Sequence, residues 1–199
     1  MLIYGSGGHA KVVLDCIKAN KRFIDGVFDD FTDEKEFLKY PILGKYNPDN
    51  LLEIPIIIAV GNNKIRKELS ISLNHKFEKI VHPSAIVSQY SGVGEGSVIF
   101  HNSVIQAGSV IGKHCIINTS ATIDHDNELA DFVHISPNAT LSGTVKVGEG
   151  TWIGSNATIV NNITIGKWCV IGAGAVITKD IPDHSLVVGN PGRIIKSTI

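Results

Sequence analysis

From residue 87 onward, the sequence places an aliphatic side chain at every sixth position. Sixteen consecutive members of this series are Val, Ile or Leu, and no insertion interrupts them. They are Val87, Val93, Ile99, Ile105, Ile111, Ile117, Ile123, Leu129, Ile135, Leu141, Val147, Ile153, Ile159, Ile165, Ile171 and Ile177. Neither an α-helix nor an alternating strand keeps a period of six. The pattern predicts a parallel β-helix, in which each hexapeptide forms one side of a coil.

Three hexapeptides per coil would stack residues that are eighteen apart in the sequence. Ile105, Ile123, Leu141 and Ile159 then form one inward ladder, and Ile111, Leu129, Val147 and Ile165 form a second one. The fourth residue after each ladder position is usually small, which predicts a tight inward corner where a large side chain would clash. These corner residues are Ser97, Ser103, Ser109, Cys115, Ala121, Ala139, Ala157 and Ala175.

The first eighty residues lack this repeat and alternate between strand and helix patterns. The segments "MLIY", "FIDGVFDD" and "IPIIIAVG" predict strands, and helices are predicted over "AKVVLDCIKAN" and "NNKIRKELSISLNH". Such alternation favours a small parallel sheet. We therefore predict a Rossmann-like βαβ domain over residues 1–82 and a β-helix over 83–199, joined near "HPSA" at 82–85.

Composition excludes several classes of partner. A net charge of −1 with 19% charged residues offers no electrostatic footprint for nucleic acid. The longest apolar stretch, 54–60, is far too short for a membrane span, and the amino terminus resembles a strand more than a signal peptide. Three cysteines without metal-ligand spacing predict a reduced, cytoplasmic protein with no metal. Cys115 and Cys169 would lie three coils, or about 14 Å, apart, too far for a disulfide.

A glycine-rich turn follows the first predicted strand. Gly5, Gly7 and Ala10 satisfy the pattern G-x-G-x-x-A between a strand and a helix, and Asp29 and Asp30 follow about twenty residues later. Glycines allow a pyrophosphate to approach a helix N-terminus, and an acid can bind a ribose hydroxyl. Binding of a phosphate or nucleotide, including a nucleotide sugar, is favoured. A purely structural turn is the alternative, and a redox dinucleotide is less favoured because the domain is small.

The segment "IDHDNE" at 123–128 concentrates charge within the otherwise regular repeat. His125 lies between Asp124 and Asp126 on the outer surface of a coil. Two carboxylates would favour protonation of the imidazole and orient it, which suits a general base. Asn127 occupies a corner position that elsewhere takes mostly small residues. The alternative is an exposed histidine in a polar bulge.

Two further histidines are candidate site residues. His9 ends the glycine turn, where it would either face a ligand or remain exposed at the start of a helix. His134 faces outward according to the repeat register.

Several motifs together resemble one family. They are "YGSGGHAKVV", "FDD", "AVGNNKIRK", "NTSATIDHD" and "VVGNPGRII". This combination, which covers nearly the whole chain, looks like the hexapeptide-repeat nucleotide-sugar acetyltransferases of bacterial glycan pathways, the PglD type, related to the sialic acid O-acetyltransferase (NeuD) type. The resemblance implies left-handed coils, contrary to the usual right-handed crossover, and a homotrimer that binds acetyl-CoA along the β-helix between subunits.

Roles for individual residues follow from the resemblance. It implies that His125 is the general base and that Asp126, where the family often has Glu, raises its basicity. The resemblance assigns substrate binding to Gly7, Gly8, His9, Asp29, Asp30 and Gly61. It assigns acetyl-CoA binding to His134, Gly143, Ser155 and Ala173. The last two would bind mainly through backbone groups.

The reaction implied is direct transfer of an acetyl group from acetyl-CoA to the 4-amino group of a nucleotide-linked 4-amino-4,6-dideoxy sugar. A backbone N–H, that of Gly143, would stabilise the oxyanion. Two alternatives remain open at this point: O-acetylation of a sugar such as sialic acid, and a non-catalytic β-helix scaffold that only binds a nucleotide. No residue selects among uracil, thymine and guanine.

Overall fold

The computed structural model describes residues 1–47 and 51–199. An α/β domain is followed by a long parallel β-helix, so the predicted fold class is confirmed. The first part contains β1 (Leu2–Tyr4), α1 (Gly8–Ala19), β2 (Gly26–Phe28), β3 (Glu36–Phe37), β4 (Tyr40–Pro41), β5 (Ile56–Ile58) and α2 (Asn63–Ser72). No helix in the described residues is long and apolar enough to cross a membrane.

A three-stranded parallel sheet forms the centre of the α/β domain, in the order β2-β1-β5. Its strands are buried on both faces, which explains their continuous apolar sequences. Helix α1 buries Val13, Leu14, Cys16 and Ile17, while Val12 is half-buried. Helix α2 begins after Asn62, whose side-chain oxygen accepts hydrogen bonds from the N–H groups of residues 64 and 65 at 3.0 and 3.2 Å.

The β-helix repeats a two-residue strand every six residues. Its strands are β6 (Ile80–Val81), β7 (Ile86–Val87), β8 (Gly92–Val93), β9 (Val98–Ile99), β10 (Val104–Ile105), β11 (Val110–Ile111), β12 (Ile116–Ile117), β13 (Thr122–Ile123), β14 (Glu128–Leu129), β15 (His134–Ile135), β16 (Thr140–Leu141), β17 (Lys146–Val147), β18 (Trp152–Ile153), β19 (Thr158–Ile159), β20 (Thr164–Ile165), β21 (Val170–Ile171), β22 (Val176–Ile177), β23 (Ser185–Val188) and β24 (Arg193–Ser197). Strand β6 lies just before the joint predicted at 82–85.

From β6 to β22, every third strand belongs to the same face of the prism. We call the face with β6, β9, β12, β15, β18, β21, β23 and β24 the docking face, because strand β6 on it packs against α1. The face with β7, β10, β13, β16, β19 and β22 is the threonine face, and the one with β8, β11, β14, β17 and β20 is the charged face.

Ladder residues eighteen apart pair directly, as the three-hexapeptide coil requires. Ile105 aligns with Ile123, Ile123 with Leu141, and Leu141 with Ile159, and all four are fully buried. The predicted small corner residues are buried as well, among them Ser109 and Ala139. Cys16, Cys115 and Cys169 are free and buried. The aliphatic period therefore builds a continuous apolar interior that holds the outer corners in register.

Candidate functional site

The turn between β13 and β14 brings His125 and Asp126 together. Asp126 adopts a left-handed backbone conformation with φ 56°, which lets two sequential side chains meet. His125 Nδ1 lies 2.8 Å from Asp126 Oδ2, and the His125 N–H donates to Asp124 Oδ1 at 2.8 Å. The hydrogen bond with Asp126, followed by the charge of Asp124, raises the pKa of His125 above its ordinary value. The His125 side chain is 55% exposed, so the imidazole is accessible to a ligand.

Two glycines leave room for this pair in the adjacent coils. A Cβ atom on Gly143 would lie 2.5 Å from His125 Cε1, so the imidazole rests directly against the glycine backbone. A Cβ atom on Gly108 would lie 2.2 Å from Asp126 Oδ1. Gly143 was predicted from the family motif, but Gly108 was not. Its position, eighteen residues before Asp126, is the signal that could have found it.

Asn127 supports the turn from inside the β-helix, where it is fully buried. Its side-chain nitrogen donates to the carbonyl oxygens of Asp124, His125 and Ser142 at 2.7, 3.3 and 3.1 Å. Its side-chain oxygen accepts from the N–H of Val145 at 3.0 Å. The polar residue in the corner position therefore satisfies the backbone groups behind His125.

A second group of predicted residues lines a cavity of about 680 Å³ between the α/β domain and the docking face. His9 comes from α1, Gly61 precedes α2, and His134 comes from β15. The centroids of the two imidazoles are 6.4 Å apart. His134 Nε2 lies 3.3 Å from the side-chain nitrogen of Asn118. His9 Nε2 is buried without a hydrogen-bond partner among the described residues.

Both imidazoles in this cavity are held in the neutral form. Burial, then the positive charge of Arg66, lowers the pKa of His9 to about 4 and that of His134 to about 3. A neutral imidazole has one N–H donor and one nitrogen acceptor. The cavity can therefore present hydrogen-bonding nitrogens to a ligand at neutral pH.

An exposed indole forms part of the cavity wall. The ring of Trp152 stacks on that of His134, at 5.9 Å between centroids and 16° between planes. Its Nε1 donates to Ser136 Oγ at 2.7 Å. Trp152 was not predicted as a site residue, although its place eighteen residues after His134 puts both on one face.

The glycine turn and the acid pair lie outside the lining of this cavity. Added Cβ atoms on Gly7 and Gly8 would meet nothing within 4 Å, so the turn has open space above it. Asp29 accepts hydrogen bonds from the N–H and Oγ of Ser6 at 2.8 and 2.6 Å. Burial alone would raise the pKa of Asp29, but the bonds from Ser6 and from the N–H of Phe31 lower it. Asp29 thus holds the glycine turn in place as an ionised carboxylate.

The predicted site residues fall into separate regions of a single chain. His125, Asp126 and Gly143 occupy the corner between the threonine and charged faces, whereas His134 projects from the docking face. Ser155 and Ala173 occupy the corner between the docking and threonine faces. His125 does not line the cavity that contains His9 and His134. One chain alone therefore does not bring the candidate base to the candidate ligand cavity.

No predicted site residue other than those above lies elsewhere on the described surface. A groove of about 550 Å³ follows the charged face beside Glu128 and Lys146. The described residues include no group of three or more His, Cys, Asp or Glu side chains arranged to hold a metal ion.

Comparison with known proteins agrees with both halves of this architecture. Residues 1–73 match the PglD N-terminal domain, and residues 144–179 match the bacterial transferase hexapeptide family of six repeats. The UDP-N-acetylbacillosamine N-acetyltransferase of Bacillus subtilis (strain 168) is 42% identical over 106 residues. That match covers 49% of each chain, so it spans about half the length of the curated relative.

Two solved structures match over nearly their whole length. PerB from Caulobacter crescentus, in complex with CoA and GDP-perosamine, has 33% identity and a TM-score of 0.91, covering 98% of this chain and 96% of that one. The acetyltransferase domain of PglB from Neisseria gonorrhoeae FA1090, in complex with acetyl coenzyme A, has 38% identity and a TM-score of 0.89, covering 98% of both chains.

Fold, site and relatives together define a hexapeptide-repeat acyltransferase. The chain belongs to the PglD type of nucleotide-sugar acetyltransferases, as its motifs predicted.

Proposed function

We propose that this protein transfers the acetyl group of acetyl-CoA to the 4-amino group of a nucleotide-linked 4-amino-4,6-dideoxy sugar. The observation that carries this proposal is the His125–Asp126 pair, which lies on an exposed turn against Gly143. Support comes from relatives whose names give N-acetylation of a bacillosamine derivative, or binding of CoA together with GDP-perosamine.

The geometry suits direct transfer with His125 as the base. The amine nitrogen attacks the thioester carbonyl carbon, and His125 Nε2 accepts the proton because Nδ1 is bonded to Asp126. The C–S bond then breaks, and the imidazolium returns the proton to the leaving thiolate. The Gly143 N–H would donate to the oxyanion. A cysteine nucleophile is disfavoured, because all three thiols are buried, and burial raises the pKa of Cys115 to about 12.

The predicted binding residues divide between the nucleotide sugar and acetyl-CoA. Gly7, Gly8, His9, Asp29, Asp30 and Gly61 would bind the nucleotide sugar, because the glycine turn is open above its backbone and leads to the cavity at His9. His134, Gly143, Ser155 and Ala173 would bind acetyl-CoA. Free buried thiols agree with the cytoplasm as the location, since reduced cysteines persist there.

A homotrimer would complete the site. The outward residues of the threonine face are Ile86, Val104, Thr122, Thr140, Thr158 and Val176, and none is charged. If this face turns toward a three-fold axis, the His125 corner of one copy lies beside the Ser155 corner of the next. Such an assembly would bring His125 of one subunit to the cavity of its neighbour. It would account for the separation of His125 from His9 and His134 within one chain.

An acceptor panel tests the proposed reaction. Release of CoA thiol is measured with acetyl-CoA and UDP-, dTDP- or GDP-linked 4-amino sugars, with sialic acid as the O-acetyl acceptor. Turnover with an amino sugar, and a product acetylated on nitrogen, is the expected result. Turnover with sialic acid alone would replace the proposal with O-acetylation, and no turnover with any acceptor would favour the scaffold alternative.

The role of His125 is tested by substitution. We expect His125→Ala to lower kcat by about a hundredfold or more, the contribution of a positioned base. Lys113→Ala, on the exposed corner between the charged and docking faces, is the control and should retain activity. A near wild-type rate in His125→Ala would remove the catalytic assignment.

A further inference from the structure

Arg66 in α2 is buried, with 1% of its surface exposed, at the boundary between the two domains. All three guanidinium nitrogens donate hydrogen bonds, and every acceptor is a neutral oxygen. The acceptors are the carbonyls of His114 (2.8 Å), Val60 (3.1 Å), Gly61 (3.1 Å) and Phe132 (3.0 Å), and Asn63 Oδ1 (2.8 Å). The side chain therefore ties the start of α2 to the β-helix backbone.

Its neighbours on α2 reinforce this attachment. The side-chain nitrogen of Asn63 donates to the carbonyl of Gly150 at 3.0 Å. Lys67 forms an ion pair with Glu149 and lies 5.5 Å from the ring centroid of Trp168. The first two turns of α2 thus hold the α/β domain against the corner between the charged and docking faces.

The charge of Arg66 has no counter-ion among the described residues, where no carboxylate lies within 4.0 Å of it. Burial lowers its pKa to about 10, which still leaves the guanidinium protonated at neutral pH. An uncompensated buried charge is costly and unusual. The electric field of the Arg66 guanidinium therefore extends toward the adjacent cavity. The carbonyl of Gly61 accepts one of the Arg66 hydrogen bonds, and Gly61 lies against the ring of His9.

The remaining charged groups near the cavity do not cancel this field. Lys64 lines the cavity from α2 and adds positive charge, whereas Lys67 is paired with Glu149. Glu95, Asp131 and Lys113 act on His114, which also lies next to Arg66. Burial and then Arg66 lower the pKa values of both His9 and His134.

We propose that Arg66 is a positioning residue that docks α2 on the β-helix and whose unpaired charge favours the free-base form of the acceptor amine in the cavity. Only an unprotonated amine carries the electron pair that attacks the thioester carbonyl. A nearby positive charge disfavours an ammonium for the same reason that it disfavours an imidazolium. The statement about the amine rests on the proposed function, while the statement about the imidazoles does not.

Titration of the imidazoles by NMR tests the charge effect without any substrate. Arg66→Gln removes the charge but keeps a polar side chain, and we expect His9 and His134 to titrate about one pH unit higher than in the wild type. Asn63→Asp places a carboxylate beside the guanidinium and should shift both in the same direction. Asn63→Ala, like the Asp variant, loses the hydrogen bond that Asn63 donates to Gly150, but it adds no charge, so it should leave the titrations unchanged. His125, on a different corner, is the internal reference.

The pH profile of kcat with the acceptor amine separates docking from charge, because kcat reports ionisation within the enzyme–substrate complex. We expect the acid limb to move to higher pH in Arg66→Gln and Asn63→Asp, and to stay in place in Arg66→Lys and Asn63→Ala. Unchanged imidazole titrations in Arg66→Gln would overturn the proposal. If that variant does not fold, identical titrations of Asn63→Asp and Asn63→Ala would overturn it equally. If the titrations of His9 and His134 shift but the protein acetylates no amine, the effect of the Arg66 charge would stand and the proposed function would be rejected.

Discussion

The orientation of the His125 ring depends on a carboxylate, two glycines and a buried side-chain amide. Asp126 orients the ring through Nδ1, and the glycines at 108 and 143 leave the space that the pair occupies. Asn127 holds the backbone of the turn from the interior. The exposed imidazole is therefore positioned by local contacts within three consecutive coils.

Asp126→Asn tests the electrostatic part of this arrangement. The carboxylate raises the pKa of His125, so its removal should lower that pKa. A base works only when unprotonated, and the acid limb of kcat/KM should therefore move to lower pH. The plateau rate should fall at the same time, because a weaker base accepts the proton less readily. An acid limb that stays in place would show that Asp126 does not set the basicity of His125. The measurement is a pH profile of both proteins.

Gly143→Ala tests the steric part. The new methyl group would have to share space with the imidazole, 2.5 Å from its Cε1 atom. Displacing the ring by about 1 Å is expected to lower kcat by about a hundredfold. Gly92→Ala is the matched control, because its methyl group would meet only Val110, at 3.9 Å. Equal activity of the two variants would argue against a tight fit at Gly143.

At the scale of elements, the inward ladders carry the stability of the β-helix. Each strand contributes only two residues, so the interior is built by stacking coils and not by any single strand. The left-handed turn residues, such as Asp126 and Thr144 at φ 56° and 61°, send the chain from one face to the next.

Ile123→Ala tests the ladder beside the His125 turn. The side chain is fully buried, and its truncation should lower the free energy of unfolding by about 2–5 kcal/mol. Val110→Ala is the control on the charged face, because that side chain points outward and is 55% exposed. It should change stability by less than about 0.5 kcal/mol. Urea unfolding of both variants measures the difference, and similar values would contradict the inward assignment.

Sequence patterns predicted the elements unevenly. The six-residue period located the strands of the β-helix from residue 87 onward, because one residue type recurs at one spacing. The helix predicted over 62–75 is observed as α2, which begins after Asn62 and ends at Ser72. The short hairpin of β3 and β4 was not predicted, since two-residue strands without a repeat leave no periodic signal.

At the scale of the whole molecule, the separation of His125 from the cavity makes assembly the decisive question. Thr140→Arg would place a charge in the middle of the uncharged threonine face. If the protein forms the homotrimer proposed above, we expect this substitution to convert it to monomers and to abolish turnover, while the monomer stays folded. Light scattering and circular dichroism check these outcomes.

Thr164→Arg provides the matched control for assembly. This threonine occupies the equivalent outward position on the charged face, and its substitution should leave both the mass and the activity unchanged. Loss of activity in a Thr140→Arg protein that remains trimeric would point to a local effect. Full activity in a monomer would contradict a site shared between subunits.

The sequence by itself determined the coil, its interior ladders and the place of His125 on an outer turn, because these follow from spacing along the chain. Its motifs also indicated the family. The tertiary structure alone decided that Gly108 makes room for Asp126, that Trp152 covers His134, and that Arg66 joins the two domains with an unpaired charge. It alone separated His125 from the cavity of His9 and His134. Such relations depend on which surfaces meet in space, and residues far apart in the chain leave no periodic trace of that contact.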